Sequence, residues 1–277
     1  MKAVLLTNGH GNQRALANKL SRVVDLAAIV ISENVPRRKK PFRERSGLFL
    51  RRIEGRLVGR LFARTWFELL DRYDTMFPRL PCTRVLRVTN VNDRETLSLL
   101  DAEAPDVVLV SGTNLVGKGI LERGKRAHGV LNLHTGISPY VKGGPNCTNW
   151  CLSKGWFHLI GSTVMWIDLG VDTGDIIFTD RTALDGTESL TELHYKVTEH
   201  AHDMYVRSVS CLASGKDLPR IRQGSIAEGT TFYTREWNAS AMLRAHYNFR
   251  QHYRNAFTSN RMASDARSLQ LVQIPEH

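Results

Sequence analysis

"GVLNLHTGISPYVKGG" (129–144) sets an apolar, strand-like run against a stretch that cannot be regular structure. Val130, Leu131 and Leu133 mark the strand, and Gly136, Pro139, Gly143 and Gly144 then interrupt any repeat. Asn132 and His134, two residues apart, point to the same side of such a strand. They stand at its carboxyl end, where open parallel sheets place their ligands. The pair is therefore positioned to act together on one atom.

Working outward, "KAVLLT" (2–7), "LAAIVIS" (26–32) and "PDVVLVSGT" (105–113) are further apolar runs bounded by turn residues. "NGHGNQRALANKL" (8–20) reads as a glycine turn opening a helix, and "RETLSLLDAEA" (94–104) as a second helix. "TRVLRVTNVND" (83–93) gives a short strand and a loop. "HLIGSTVMWID" (158–168) and "GDIIFTDRTAL" (174–184) read as paired strands around "LGVDTGD", and residues 189–214 as a long amphipathic helix. Nearly all-apolar strands alternating with helices predict an α/β fold. Its sheet is Rossmann-like and mostly parallel, covered by helices on both faces. The expected organisation is a catalytic domain over 1–215, with a basic helical insertion at 36–80, and a small C-terminal appendage over 216–277.

The chain has 277 residues and a formal net charge of +11. The charge is concentrated: eleven Arg or Lys fall between Arg37 and Arg64, against Glu44 and Glu54 alone. Arg52, Arg56, Arg60 and Arg64 recur every four residues and stack along one helix face, beside an apolar stripe of Leu50, Ile53, Leu57 and Leu61. Such a face is either solvated or meets an anionic partner: a phosphorylated substrate, an acidic membrane surface or RNA. No stretch approaches the roughly 18 apolar residues of a membrane span. The first residues read as a strand rather than a signal peptide, so the expected location is the cytoplasm. Cys82, Cys147, Cys151 and Cys211 show no CxxC spacing, and free thiols with no metal site are expected.

Asp172 lies in "GVDTGD", a glycine-bracketed loop able to bring a carboxylate to a histidine. A carboxylate there fixes one imidazole tautomer and favours the charged form. "NLHTGISPYVKGG" followed by "GSTVMWIDLGVDTGDII" resembles the folate-dependent formyltransferase family. The resemblance covers roughly residues 1–215 and is most specific at 129–178. One departure is Ser138, which precedes Pro139 where the family usually has Leu. The resemblance implies transfer of a formyl group from 10-formyltetrahydrofolate, a co-substrate, to a primary amine, without a metal. Asn132, His134 and Asp172 are then the catalytic trio: the first two stabilise a developing oxyanion, and Asp172 favours imidazolium and orders a proton-relaying water. "SGTNLVG" (111–117) matches the family's folate loop, which puts Ser111, Gly112, Asn114, Leu115 and Val116 against the cofactor. "NGHGNQR" (8–14) resembles a phosphate loop of one branch of the family, and exposed amides at a helix N-terminus attract anions. His10, Asn12, Arg14 and Lys142 are the candidates for holding a substrate phosphate.

The expected acceptor is the amino group of a nucleotide-linked amino sugar destined for surface polysaccharide. That branch tolerates inserts and short C-terminal appendages, whereas the tRNA-formylating branch carries a longer C-terminal barrel. Alternatives are phosphoribosyl glycinamide or aminoacyl-tRNA as the amine, then hydrolysis of formyltetrahydrofolate, then a non-catalytic basic adaptor for RNA or acidic lipid. Phe232, Tyr233, Trp237, Tyr247, Phe249, Tyr253 and Phe257 crowd the last segment, and core packing is the favoured reading over base stacking.

Overall fold

Residues alternate along each strand, so an apolar run supplies both faces of a sheet at once. The computed structural model describes residues 1–33, 49–81, 84–144, 146–170 and 172–274, without the side chains of 49–57, 260 and 261. Its strands are β1 (Lys2–Thr7), β2 (Asp25–Ser32), β3 (Val85–Val88), β4 (Val107–Ser111), β5 (Val130–His134), β6 (Val141–Gly143), β7 (Gly161–Trp166), β8 (Ile176–Arg181) and β9 (Thr230–Phe232). The helices used below are α1 (Gly11–Leu20), α2 (Phe49–Met76), α3 (Arg94–Glu103), α4 (Lys118–Gly124), α5 (Cys147–Lys154), α6 (Leu190–Ala213) and α7 (Ala239–Asn248).

The main sheet runs β3-β2-β1-β4-β5-β7-β8. The first five strands are parallel, and β7 and β8 are antiparallel. The mostly parallel α/β architecture expected from the apolar runs is the one observed. Ala3, Leu5, Leu109 and Leu131 face α1 and α6 on one side, while Val4, Leu6, Val108 and Val110 face α3 and α4 on the other. Strand order reverses between β1 and β4, which opens a crevice at their carboxyl ends. Asn8 spans that crevice, donating from Nδ2 to the Gly112 carbonyl at 2.6 Å.

Cys82 and the basic residues from Arg37 to Arg45 lie outside the described residues, as do the side chains of Arg52 and Arg56. Arg60 is exposed on α2, and Arg64 pairs through Nε with Glu68 Oε1 at 2.7 Å. That contact supplies an acid for one member of the arginine stripe. The other face of α2 buries Leu69 and Tyr73 against Ala15 of α1.

Beyond Gly215 the chain folds back over the sheet's carboxyl end. β9 pairs in parallel with β6, and α7 packs on α5 and α2. Phe232 and Tyr253 are buried in a cluster shared with α5 and α6, and Phe232 stacks on Trp150 at 4.4 Å. Tyr233 and Tyr247 remain exposed.

α6 starts with a reciprocal capping box between Ser189 and Glu192. Its buried face carries Tyr205, whose hydroxyl donates to the Leu131 carbonyl at 2.8 Å and accepts from the Val110 amide at 2.9 Å. Replacing Tyr205 with Phe leaves both backbone groups without this partner in a dry interior. We expect a loss of about 1–3 kcal/mol in urea unfolding, with the fold retained.

The same helix buries His194 and His202, and burial pushes them down to about 4 and about 3. Both are neutral in the fold, while in the unfolded chain they take up protons below their ordinary value near 6.5. Folding stability therefore falls as pH drops from 6.5 toward 4.5, by about 1.4 kcal/mol per pH unit per histidine. Urea midpoints measured across that window should decline, and His194→Gln with His202→Gln should flatten the decline; a slope unchanged by the double variant contradicts the assignment.

Candidate active site

β5 ends at His134, and its register opposite β7 (Asn132 beside Met165, His134 beside Thr163) fixes which way each side chain faces. Asn132 and His134 share the face the sequence predicts. The loop after β7 then returns Asp172 to them. Asp172 Oδ2 lies 3.5 Å from His134 Nδ1 and accepts the Gly143 amide at 3.0 Å. The three residues singled out in the sequence thus lie together, with the imidazole and the carboxylate largely shielded: His134 is 11% and Asp172 17% exposed at the side chain.

Asp172 holds a left-handed backbone at φ +50°, a conformation Asp tolerates better than most residues. Two supports keep it there. Asp168 Oδ1 accepts the Gly170 amide at 2.9 Å and the Thr173 hydroxyl at 2.6 Å, closing the loop on itself. Gln223 reaches over from the C-terminal segment and donates to the carbonyls of Asp172 (2.7 Å) and Gly174 (2.9 Å). Gln223 was not singled out in the sequence. It sits in an unremarkable "RQGS", and only the tertiary fold brings it to the loop.

Two cavities meet at this trio. A slot of about 110 Å³ is lined by Gly112 to Val116, the apolar Met165 and Trp166, and residues 167–170 and 172–174. A second, polar cavity of about 370 Å³ is lined by Asn8, Asn12, Gln13, Ser111, Asn146, His194 and His202, among others. Asn132 and Asp172 border both, and His134 borders the polar one. No Lys or Arg lines either cavity among the described residues.

The 111–117 loop divides its residues. Gly112 and Val116 line the slot, as does Leu115, which is 67% exposed. Ser111 faces the polar cavity instead. The Asn114 side chain ties neighbouring strand ends together: its Oδ1 accepts from the Val91 amide and the Ser32 hydroxyl, and its Nδ2 donates to Asn90. The Gly112 and Leu115 carbonyls accept from Asn8 and Asn92, so these asparagines brace the loop that forms one side of the slot, opposite Met165 and Trp166.

The four residues expected around a phosphate do not converge. Asn12 is buried in the wall of the polar cavity, with its Oδ1 unpaired. His10 is exposed at the start of α1 and lies outside both linings. Arg14 is engaged elsewhere, donating to the carbonyls of Gly9 and Phe77 and pairing with Asp74. Lys142 approaches Gln223 Oε1 at 3.4 Å. Cys147, Cys151 and Cys211 are free and buried, and among the described residues no group of His, Cys, Asp or Glu is placed to hold a metal ion.

Solved structures share this fold. A 4-N formyltransferase from Francisella tularensis aligns over 88% of this chain and 87% of its own, with a TM-score of 0.54 and 15% identity. Phosphoribosylglycinamide formyltransferase from Bacillus halodurans aligns over 77% of this chain and 96% of its own, with a TM-score of 0.52 and 16% identity. Among curated relatives, methionyl-tRNA formyltransferase of Clostridium tetani is 30% identical over 46% of this chain and 40% of its own length. The chain spans less than half the length of the curated relatives it matches. A family model described as formyl transferase matches residues 69–209, just over half of the sequence and the part that holds β4, β5, the trio and most of α6. The chain belongs to the formyl transferase family.

Proposed function

We propose that the protein transfers a formyl group from 10-formyltetrahydrofolate to a primary amine, most specifically the amino group of a nucleotide-linked amino sugar. The observation that carries this reading is the place of the trio: Asn132 and Asp172 stand where two separate cavities meet, one lined in part by Met165 and Trp166 and the other by Asn8, Gln13, Asn146 and Thr148. A reaction between two different molecules needs such a junction, because each must be held separately with its reacting atom at a shared point.

The slot fits the folate's heteroaromatic ring, with Gly112, Leu115 and Val116 on one side and Met165 and Trp166 opposite. When bound, the folate supplies a formyl group already activated for transfer to nitrogen. Asn132 and the Nδ1–H of His134 present hydrogen-bond donors to the formyl oxygen, where negative charge grows as the amine adds. Asp172 keeps a proton on His134 Nδ1 and offers an acceptor through which the amine proton can leave by way of water.

The polar cavity, walled by neutral amides, hydroxyls and two neutral histidines, suits a ring of hydroxyl and amine groups better than a phosphate. The phosphates of a nucleotide carrier then belong outside it, toward the exposed His10 at the start of α1 or the exposed face of α2 with Arg60. The buried free thiols of Cys147, Cys151 and Cys211 accord with a reducing compartment, which supports a cytoplasmic reading. Aminoacyl-tRNA is the second reading, favoured by the names of the curated relatives and by the basic charge of the chain.

The test is amine-dependent release of tetrahydrofolate, assayed with nucleotide-linked amino sugars, with aminoacylated initiator tRNA and with water alone. One acceptor class should support turnover, and His134→Ala or Asn132→Ala should each slow it roughly 10²–10³-fold. Release that needs no amine would replace the transferase reading with a hydrolase.

A further inference from the structure

We propose that Cys147 is a positioning residue that holds His134 by its Nε2, leaving Nδ1 as the nitrogen whose proton serves the reaction. The inference rests on the reading of His134 as an acid–base group, but its geometry stands apart from the identity of any substrate.

Cys147 opens α5 and is 1% exposed. Its Sγ lies 3.4 Å from His134 Nε2 and 3.5 Å from the Gly143 carbonyl oxygen. The ring edge it touches is closed by protein on another side as well. A Cβ built on Gly136 would stand 2.7 Å from His134 Nε2 and 2.8 Å from Cys147 Cβ, so glycine at 136 is what lets the ring and the thiol meet. The opposite nitrogen, Nδ1, faces Asp172, which borders both cavities. Of the two ring nitrogens, Nε2 is thus committed to the protein interior and Nδ1 to the site.

A thiol is an unusual partner for a ring nitrogen because it can give or take one hydrogen bond with little energy difference between the two. With His134 neutral, the Cys147 S–H donates to Nε2, which leaves the ring proton on Nδ1. With His134 charged, Nε2–H donates to sulfur, and the S–H turns to the Gly143 carbonyl. In both states the thiol proton and His134 Nε2 have a partner, and no heavy atom has to move between them. Burial pushes the Cys147 thiol well up, with Cys151 and Asp172 adding to the effect, so the sulfur keeps the proton that this exchange requires. The same burial argues against a nucleophilic role. Cys151, one turn later, is occupied elsewhere, its thiol donating to the Leu159 carbonyl at 3.4 Å.

The experiment reads the tautomer directly. The full chain is labelled with ¹⁵N-histidine, the His134 ring signals are assigned by their loss in His134→Gln, and wild type is compared with Cys147→Ala and Cys147→Ser. Wild type should show neutral His134 as the Nδ1–H form, Cys147→Ala a mixture of tautomers, and Cys147→Ser a return toward Nδ1–H. In the amine-dependent assay, Cys147→Ala should lower kcat about fivefold to tenfold with KM nearly unchanged, the size of one lost neutral hydrogen bond, and Cys147→Ser should recover most of it. A wild-type His134 in the Nε2–H form overturns the proposal even if neither variant folds. Ring shifts unaltered in a folded Cys147→Ala overturn it too. If the tautomer pattern holds but no amine is formylated, the positioning role stands and the reading of the reaction fails.

Discussion

The site depends on one shared oxygen. Asp172 Oδ2 accepts the Gly143 amide and faces His134 Nδ1, so a single carboxylate atom joins the end of β5, the short strand β6 and the loop between β7 and β8. These three segments have no common ladder, because β6 pairs with β9 and not with the main sheet. Without that oxygen His134 would be an ordinary polar residue at a strand end. With it, the imidazole has a carboxylate oxygen 3.5 Å from Nδ1. A left-handed backbone at a non-glycine residue is costly by about 1–3 kcal/mol and persists only where surroundings over-determine it. Here Gln223 and the Asp168 turn supply that determination.

Charge is divided in space. The molecule carries a large positive excess, yet both cavities at the trio are free of Lys and Arg among the described residues. A nearby fixed cation would compete for Asp172 and weaken its hold on the imidazole. Among the described residues that line the two cavities, Asp172 is the carboxylate beside His134 and no Lys or Arg faces it there. The neutral histidines of α6 serve the same end, since burial prevents them from charging at working pH.

Much of this was legible in the chain. The runs at β1, β2 and β4 are apolar through their centres, as a sheet covered on both faces requires, and the i, i+2 spacing of Asn132 and His134 in β5 fixes their common side. Asp172 was legible through the glycines around it. What could not be read were contacts made by folding distant segments together. Arg14 looks free to bind a phosphate until α2 brings Asp74 beside it. Asn114 lines the slot, and the tie of its side-chain oxygen to Val91 and Ser32 is a contact that the sequence does not show. Gln223 and the three-residue strands β6 and β9 carry no periodic signal at all, being too short to show one.

Those short strands bear on what the C-terminal segment does. Gly143 sits in register with Phe232, at φ +95°, and a Cβ there would collide with the Phe232 carbonyl oxygen at 2.0 Å. Gly144 then donates its amide to that same oxygen at 3.0 Å, and Phe232 stacks on Trp150 of α5, the helix that Cys147 opens. The segment beyond 215 therefore sets where the Gly143 amide points, and with it where Asp172 Oδ2 is held. It also supplies Gln223. Residues remote in sequence from the Asn-x-His strand thus define the geometry around its histidine, and a change in the 221–232 region reaches the chemistry without touching a ligand. Fold and site are linked by this return of the chain: the sheet presents Asn132 and His134, and the last segment holds the carboxylate that gives them a direction.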